Sequence, residues 1–196
     1  MTRRDTARGY SVLELVFVTA LIVTLGGIAL PQTLASLDDF RAAGAARYLS
    51  ARLYRARMLA VMRSARVAVR FSRAGSGYLF TEYQDGNGNG VLASEIRTGI
   101  DRRLGPPESL RDNFKGVDFG TQPGLPPIDP GGAAPGADPI RLGASSILTF
   151  TPYGTASTGT VYIRGRDAQY AVRVFGDTGK SRTLKFDRRA RRWSAP

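Results

Sequence analysis

Hydrophobic and polar positions follow three regimes along the chain. From Leu15 to Leu30 the residues LVFVTALIVTLGGIAL carry no charge. Extended back to Tyr10, the run reaches about 21 residues with only Glu14 interrupting it, and as a helix it rises roughly 30 Å, enough to cross a bilayer. After Pro31, the residues Leu34, Leu37, Phe40, Tyr48, Leu49, Leu53, Leu59 and Met62 recur near helical spacing, which predicts an amphipathic helix over 32–64. The two stretches together read as one helix of about 55 residues, roughly 80 Å long, with Gly26, Gly27 and Gly44 as its weak points. From Arg66 the period changes to two. Val67, Val69 and Phe71 alternate with Arg66, Ala68 and Arg70, and Tyr78 to Tyr83 forms the return strand of a hairpin. Ile147 to Thr151, Thr160 to Arg164, Tyr170 to Phe175 and Ser181 to Phe186 continue the pattern between glycine-containing turns, as in a β-meander. Residues 105–139 hold eight of the eleven prolines and read as an excursion loop outside the core. The expected organisation is a membrane-spanning segment over 10–31, the amphipathic helix, a β-rich domain over 65–187 and a basic tail over 188–196. The fold class is α+β, a long helix packed on antiparallel sheets.

Composition narrows the chemistry. The 196 residues carry 28 Lys and Arg against 16 Asp and Glu, a net of +12, and contain neither Cys nor His. That removes disulfides, thiolate zinc sites and every histidine-based triad. Glu82, Asp85 and Glu95 cluster in sequence without a nucleophile beside a base, so the chain reads as a non-enzyme needing no cofactor. Ahead of the apolar run, Arg3, Arg4 and Arg8 outweigh Asp5, which places this end in the cytoplasm and the body across the membrane. A cleavable secretory signal fits less well, because Pro31 follows Leu30 directly and the helical pattern continues past it. A twin-arginine signal also fits less well, since Asp5, Thr6 and Ala7 follow the arginine pair. A plain anchor remains open. It leaves Glu14 without a task, although a carboxylate inside an apolar span costs about 2.5–3.5 kcal/mol on insertion scales.

Gly9-Tyr10-Ser11-Val12-Leu13-Glu14-Leu15, followed by the apolar run, closely resembles the signal of type IV prepilins. The resemblance implies that residues 1–9 are a leader, that a prepilin peptidase cuts between Gly9 and Tyr10, and that Tyr10 becomes the methylated terminus. It further implies that Glu14, fifth in the processed chain, neutralises the terminal ammonium of a neighbouring subunit, an attraction strengthened by low dielectric. Leu13, Leu15, Val16 and Phe17 would supply apolar packing in assembly, and Pro31 falls where pilin helices loosen or kink. The body resembles the GspH/FimT family through four ordered stretches: Tyr54 to Val61, Tyr83 to Glu95, Leu148-Thr149-Phe150-Thr151-Pro152-Tyr153-Gly154 on to Val161, and Gly179-Lys180-Ser181-Arg182. Membership would make the chain an H-type minor pseudopilin of type II secretion or a minor type IV pilin. Its partners would be other pilins, the prepilin peptidase and an inner-membrane assembly platform, with the globular domain in the periplasm and later in the filament.

Two further stretches carry candidate chemistry. Asp85-Gly86-Asn87-Gly88-Asn89-Gly90 resembles the start of an EF-hand calcium loop, with Asp85, Asn87, Asn89 and Glu95 as candidate ligands. Ile96 stands where the bidentate carboxylate belongs, and a glycine-asparagine turn without calcium is the competing reading. From Lys180 to Pro196 seven cations face only Asp187, half the net charge of the chain. Lys180, Arg182, Arg188, Arg189, Arg191 and Arg192, with Phe186 and Trp193 for stacking, are candidates for binding DNA. Gly179-Lys180-Ser181-Arg182 is similar to the G-R-x-R motif of DNA-binding minor pilins, with Lys180 for the first Arg. A frayed, solubilising tail is the alternative. The arginines at 41, 47, 52, 55, 57 and 63 read as a solvated helix face.

Overall fold

The computed structural model describes residues 10–196, and of residues 28–31 it describes the backbone alone, so Gly9, the rest of the expected leader and the side chain of Pro31 lie outside it. Helix α1 is Val12–Met62. The chain divides into two compact units, Met1–Leu37 and Asp38–Pro196. In the first, the apolar window has a mean hydropathy of 2.3 and none of it is buried, so it is long and apolar enough to cross a membrane. Thr19 and Thr24 turn their hydroxyls back to donate to the carbonyls of Leu15 and Val16 and of Ala20. Each polar side chain is thereby satisfied within the helix.

In the second unit the helix stretch from Asp38 to Met62 packs on two antiparallel sheets. The first has the order β3-β2-β1-β6 and the second β10-β9-β8-β7-β4, with β5 also pairing β7. In chain order the strands are β1 (Val67–Ala74), β2 (Gly77–Gln84), β3 (Arg102–Arg103), β4 (Asp118–Phe119), β5 (Ile140–Arg141), β6 (Ile147–Phe150), β7 (Gly159–Arg164), β8 (Gln169–Val174), β9 (Ser181–Asp187) and β10 (Arg192–Ser194). Short helices α2 (Ala93–Thr98) and α3 (Leu110–Asn113) lie in the connections. The β1–β2 hairpin closes on Gly75 and Ser76, where Gly75 takes φ +57° as a two-residue turn demands. Strand β6 does not join the expected meander. It crosses to pair with β1, while β7, β8, β9 and β10 run as consecutive antiparallel neighbours.

The helix face that meets the sheets is built from small residues: Ala42, Ala45, Ala46, Ala56 and Ala60 are fully buried beside Leu49 and Leu53. Alanines let the helix axis approach the sheets closely, and Gly44 leaves room for the Phe114 ring, which a Cβ would strike. The expected stripe is corrected accordingly, since Phe40 and Met62 are exposed. A further correction concerns residues 105–139. Leu110, Val117 and Phe119 from this stretch are buried in the main core, β4 pairs with β7, and Phe119 meets Phe71, Tyr78 and Phe80 edge-on. The segment returns to the core through two-residue contacts that carry no periodicity. Its later part covers the outer face of the second sheet, where Ile128 packs on Tyr162, Leu184 and Trp193.

Acidic residues of the helix fix the sheet edges. The Asp38 carboxylate accepts the backbone N–H groups of Arg166, Asp167 and Ala168 in the β7–β8 turn. Asp39 accepts from the Tyr170 hydroxyl and pairs with Lys185 at 2.8 Å. Burial, followed by that hydrogen bond to Asp39, pushes the Tyr170 phenol up. Burial alone would raise the Asp38 carboxyl as well. The three backbone N–H groups and Arg41 outweigh it and hold the group below the usual carboxylate range. A depressed carboxylate contributes stability above its unfolded value of about 3.9, and that stability is lost as pH falls through the folded value. Below about pH 4 the native chain therefore loses stability more steeply than Asp38→Asn, as acid unfolding followed by circular dichroism measures. Parallel curves for the two would remove Asp38 from the acid response.

Candidate functional site

The expected assembly residues stand on the first turns of α1. Tyr10 precedes the helix and is exposed, as are Leu13, Glu14, Leu15, Val16 and Phe17. Among the described residues nothing in the chain covers this apolar face. In the Asp38–Pro196 unit the solvent side of the helix also exposes Phe40, Tyr54, Met58 and Val61. Apolar surface of this kind on one helix is suited to helix partners.

Three of the four stretches of family resemblance meet in space. Arg57 donates through Nε to the carbonyl of Gly154 at 2.8 Å, and a Cβ on Gly179 would press on that same carbonyl oxygen and on the Arg57 side chain. Gly154 and Gly179 both take positive φ, +78° and +59°. The helix end, the β6–β7 connection and the turn before β9 thus lock together around one arginine. Arg57 is therefore engaged, and Arg52 turns inward too, pairing with Glu82 and Glu108. The solvated-face reading is corrected for these two. Nothing in the helix sequence separates them from Arg47 or Arg55, because their acceptors come from distant strands and loops.

Asp85, Asn87, Asn89 and Glu95 are brought together; both Asp85 oxygens and Glu95 Oε1 already have donors, whereas Glu95 Oε2 is buried without one. Asp85 accepts the N–H groups of Asn87, Gly88 and Gly90, and the amides of Asn87 and Asn89 both donate to Glu95. Burial opposes the charge on Asp85, yet the backbone bonds and Arg66 hold its carboxyl below the ordinary range. Asp101, which no motif singles out, closes the loop by accepting from Gly86 and Leu92. The built loop places Val91 and Ile96 over Ala68 and Ile147 on the outer face of the first sheet. No group of three or more acidic side chains suited to a metal occurs among the described residues.

The basic carboxyl-terminal residues are spread along β9 and the hairpin that follows it. Lys180 and Arg182 lie at the start of β9 and Arg188 and Arg189 just past its end, about 20 Å apart at the usual strand rise. The frayed tail expected over 188–196 is instead a hairpin: Trp193 pairs with Phe186, and Asp187 accepts from the backbone of Arg189 and Ala190 to close the turn. Phe186 and Trp193 pack on each other, and the indole N–H donates to the Pro126 carbonyl, so the two rings stabilise the hairpin.

A family model described as type II transport protein GspH matches residues 45–179, more than half of the chain. That interval spans the packed helix from Ala45, the whole first sheet, strands β4, β5, β7 and β8 of the second, and the Arg57–Gly154–Gly179 junction, and stops short of β9 and β10. No curated protein and no solved structure matches the chain significantly.

Proposed function

The chain belongs to the type II transport protein GspH family, and from that membership we propose that it is a minor pseudopilin or minor pilin, a structural subunit that works by assembly. In this reading it enters the inner membrane as a precursor with its first residues in the cytoplasm and residues 38–196 in the periplasm. The prepilin peptidase cuts between Gly9 and Tyr10, and Tyr10 is methylated. The processed helix then packs against other pseudopilins on the assembly platform. The observation that carries this is an apolar helical window none of which is buried by its own chain. Such a surface needs lipid before assembly and neighbouring helices after it. Glu14 is the one charge within it, and an adjacent terminal ammonium offsets the cost of carrying a carboxylate there.

Intact mass and terminal sequencing of the chain from membranes with and without an active prepilin peptidase test the reading. The expected product lacks residues 1–9 and carries one added methyl on Tyr10, only where the peptidase is present. Glu14→Ala is processed normally but fails to enter filaments, read by crosslinking to neighbouring subunits. An unprocessed terminus in the presence of active peptidase, or unaltered crosslinking of Glu14→Ala, defeats the respective step.

A further inference from the structure

The basic residues at the far end of β9 have company that the sequence does not announce. An open cavity of about 470 Å³ is lined by Arg164 at the end of β7, Arg166 in the β7–β8 turn, and Arg188 and Arg191 in the β9–β10 turn, with Phe186, Gln122, Pro123 and Gly124 completing its wall. Its frame is fixed. Asp38 holds the backbone of the turn that carries Arg166. The buried amide of Gln169 donates to the carbonyls of Gly120, Ile163 and Tyr170 and accepts from the backbone of Gln122. Gln122 in turn accepts from Arg188.

The charge is not balanced within the fold. Arg188 pairs with Asp167 at 3.4 Å, while the guanidinium groups of Arg164, Arg166 and Arg191 have no hydrogen bond or ion pair among the described residues. Asp118, the register partner of Arg164, is engaged by Arg111, and Asp187 is turned onto its own hairpin backbone. Four guanidiniums against one carboxylate leave three positive charges converging on one concavity. Like charges so placed repel one another and focus field lines outward, which favours an anion. Arg191 adds a backbone cost, since it holds φ +49° at a turn position where glycine or asparagine is easier.

We propose that this cavity is a phosphate-binding site, taking a phosphate group either free or as a monoester. A phosphate dianion balances the excess charge better than a carboxylate does, and its oxygens match the planar forks of several arginines at once. Pro123, Gly124 and the Phe186 ring leave room for the organic part of an ester. The site is distinct from Lys180 and Arg182, which lie at the other end of β9.

The full chain in an uncharged detergent, at constant ionic strength set with chloride, is titrated by calorimetry with inorganic phosphate and, separately, with glycerol phosphate. Both bind, and affinity falls by about tenfold or more in Arg164→Gln/Arg191→Gln, the loss expected for removing charge-assisted hydrogen bonds. It is unchanged in Arg182→Gln. Tighter binding of the ester identifies an organic carrier, and equal or weaker binding of the ester identifies free phosphate. Without ligand the double variant melts no lower than the parent, because two repelling charges are gone. Equal phosphate affinity in parent and double variant, or no phosphate binding above chloride, overturns the proposal. A double variant that unfolds is replaced by Arg166→Gln, whose exposed side chain has no hydrogen bond or ion pair among the described residues, and the same loss is required of it.

Discussion

Replacing Arg52 by Met lowers the melting temperature of the full chain by about 10 °C or more, corresponding to about 3–5 kcal/mol for breaking a buried pair. The Glu82 side chain is only 2% exposed, and Arg52 approaches it to 3.3 Å while also pairing with Glu108. The remaining cation near Glu82 is Arg55, at 3.8 Å and half exposed. Neither Glu82 oxygen has a hydrogen bond, so the carboxylate depends on charge alone for its compensation. Removing Arg52 strands a buried anion whose desolvation is no longer offset. The same arginine organises Glu108, which accepts from the Tyr48 hydroxyl. That hydrogen bond first, and burial second, push the Tyr48 phenol up. Adding Glu82→Gln to Arg52→Met recovers much of the loss, since the stranded charge disappears. Thermal denaturation of the two variants beside the parent is the measurement. A single variant within about 1 kcal/mol of the parent would make the network ornamental.

This network also shows where sequence reading reaches and where it stops. The alternation of Val67, Val69 and Phe71, and of Val161, Ile163 and Val172 with their neighbours, marks strands because every second side chain enters the same core. The apolar run after Tyr10 is equally legible, since length and absence of charge are sufficient. The inner face of the helix is not, because its buried residues are mostly alanines whose modest hydropathy hardly differs from the exposed Ala51. Arg52 cannot be told from Arg47 without knowing that Glu82 and Glu108 arrive opposite it. Leu110, Val117 and Phe119 escape notice for a related reason. Each enters the core from a segment too short to show a period, between prolines and glycines that argue for a loop. The basic carboxyl-terminal run shows a different limit. Proximity in sequence suggests one patch, and an intervening strand separates it into two ends, one of which joins Arg164 and Arg166 instead.

Gly179→Ala is expected to destabilise the chain by about 2–5 kcal/mol, and Gly75→Ala by only about 1–2 kcal/mol, although the two glycines share nearly the same backbone. Gly179 has φ +59° and Gly75 φ +57°, so each substitution incurs the left-handed penalty of an L residue. The surroundings differ. A Cβ at Gly75 meets nothing within 4 Å, whereas at Gly179 it falls well inside contact of the Gly154 carbonyl oxygen and 3.0 Å from Arg57 Nε. Neither neighbour can yield easily. The Gly154 carbonyl accepts from Arg57, and the N–H of Gly179 donates to Phe175 at 2.8 Å. The comparison therefore isolates crowding from conformational strain. Because the extra methyl displaces the arginine that Gly154 holds, Gly179→Ala and Arg57→Ala combine for less than the sum of their separate losses. Urea denaturation of the four variants beside the parent provides the comparison, and equal losses for Gly179→Ala and Gly75→Ala would mean that the junction yields freely. If it does not yield, Gly179 fixes where β9 begins and so where Lys180 and Arg182 stand along it.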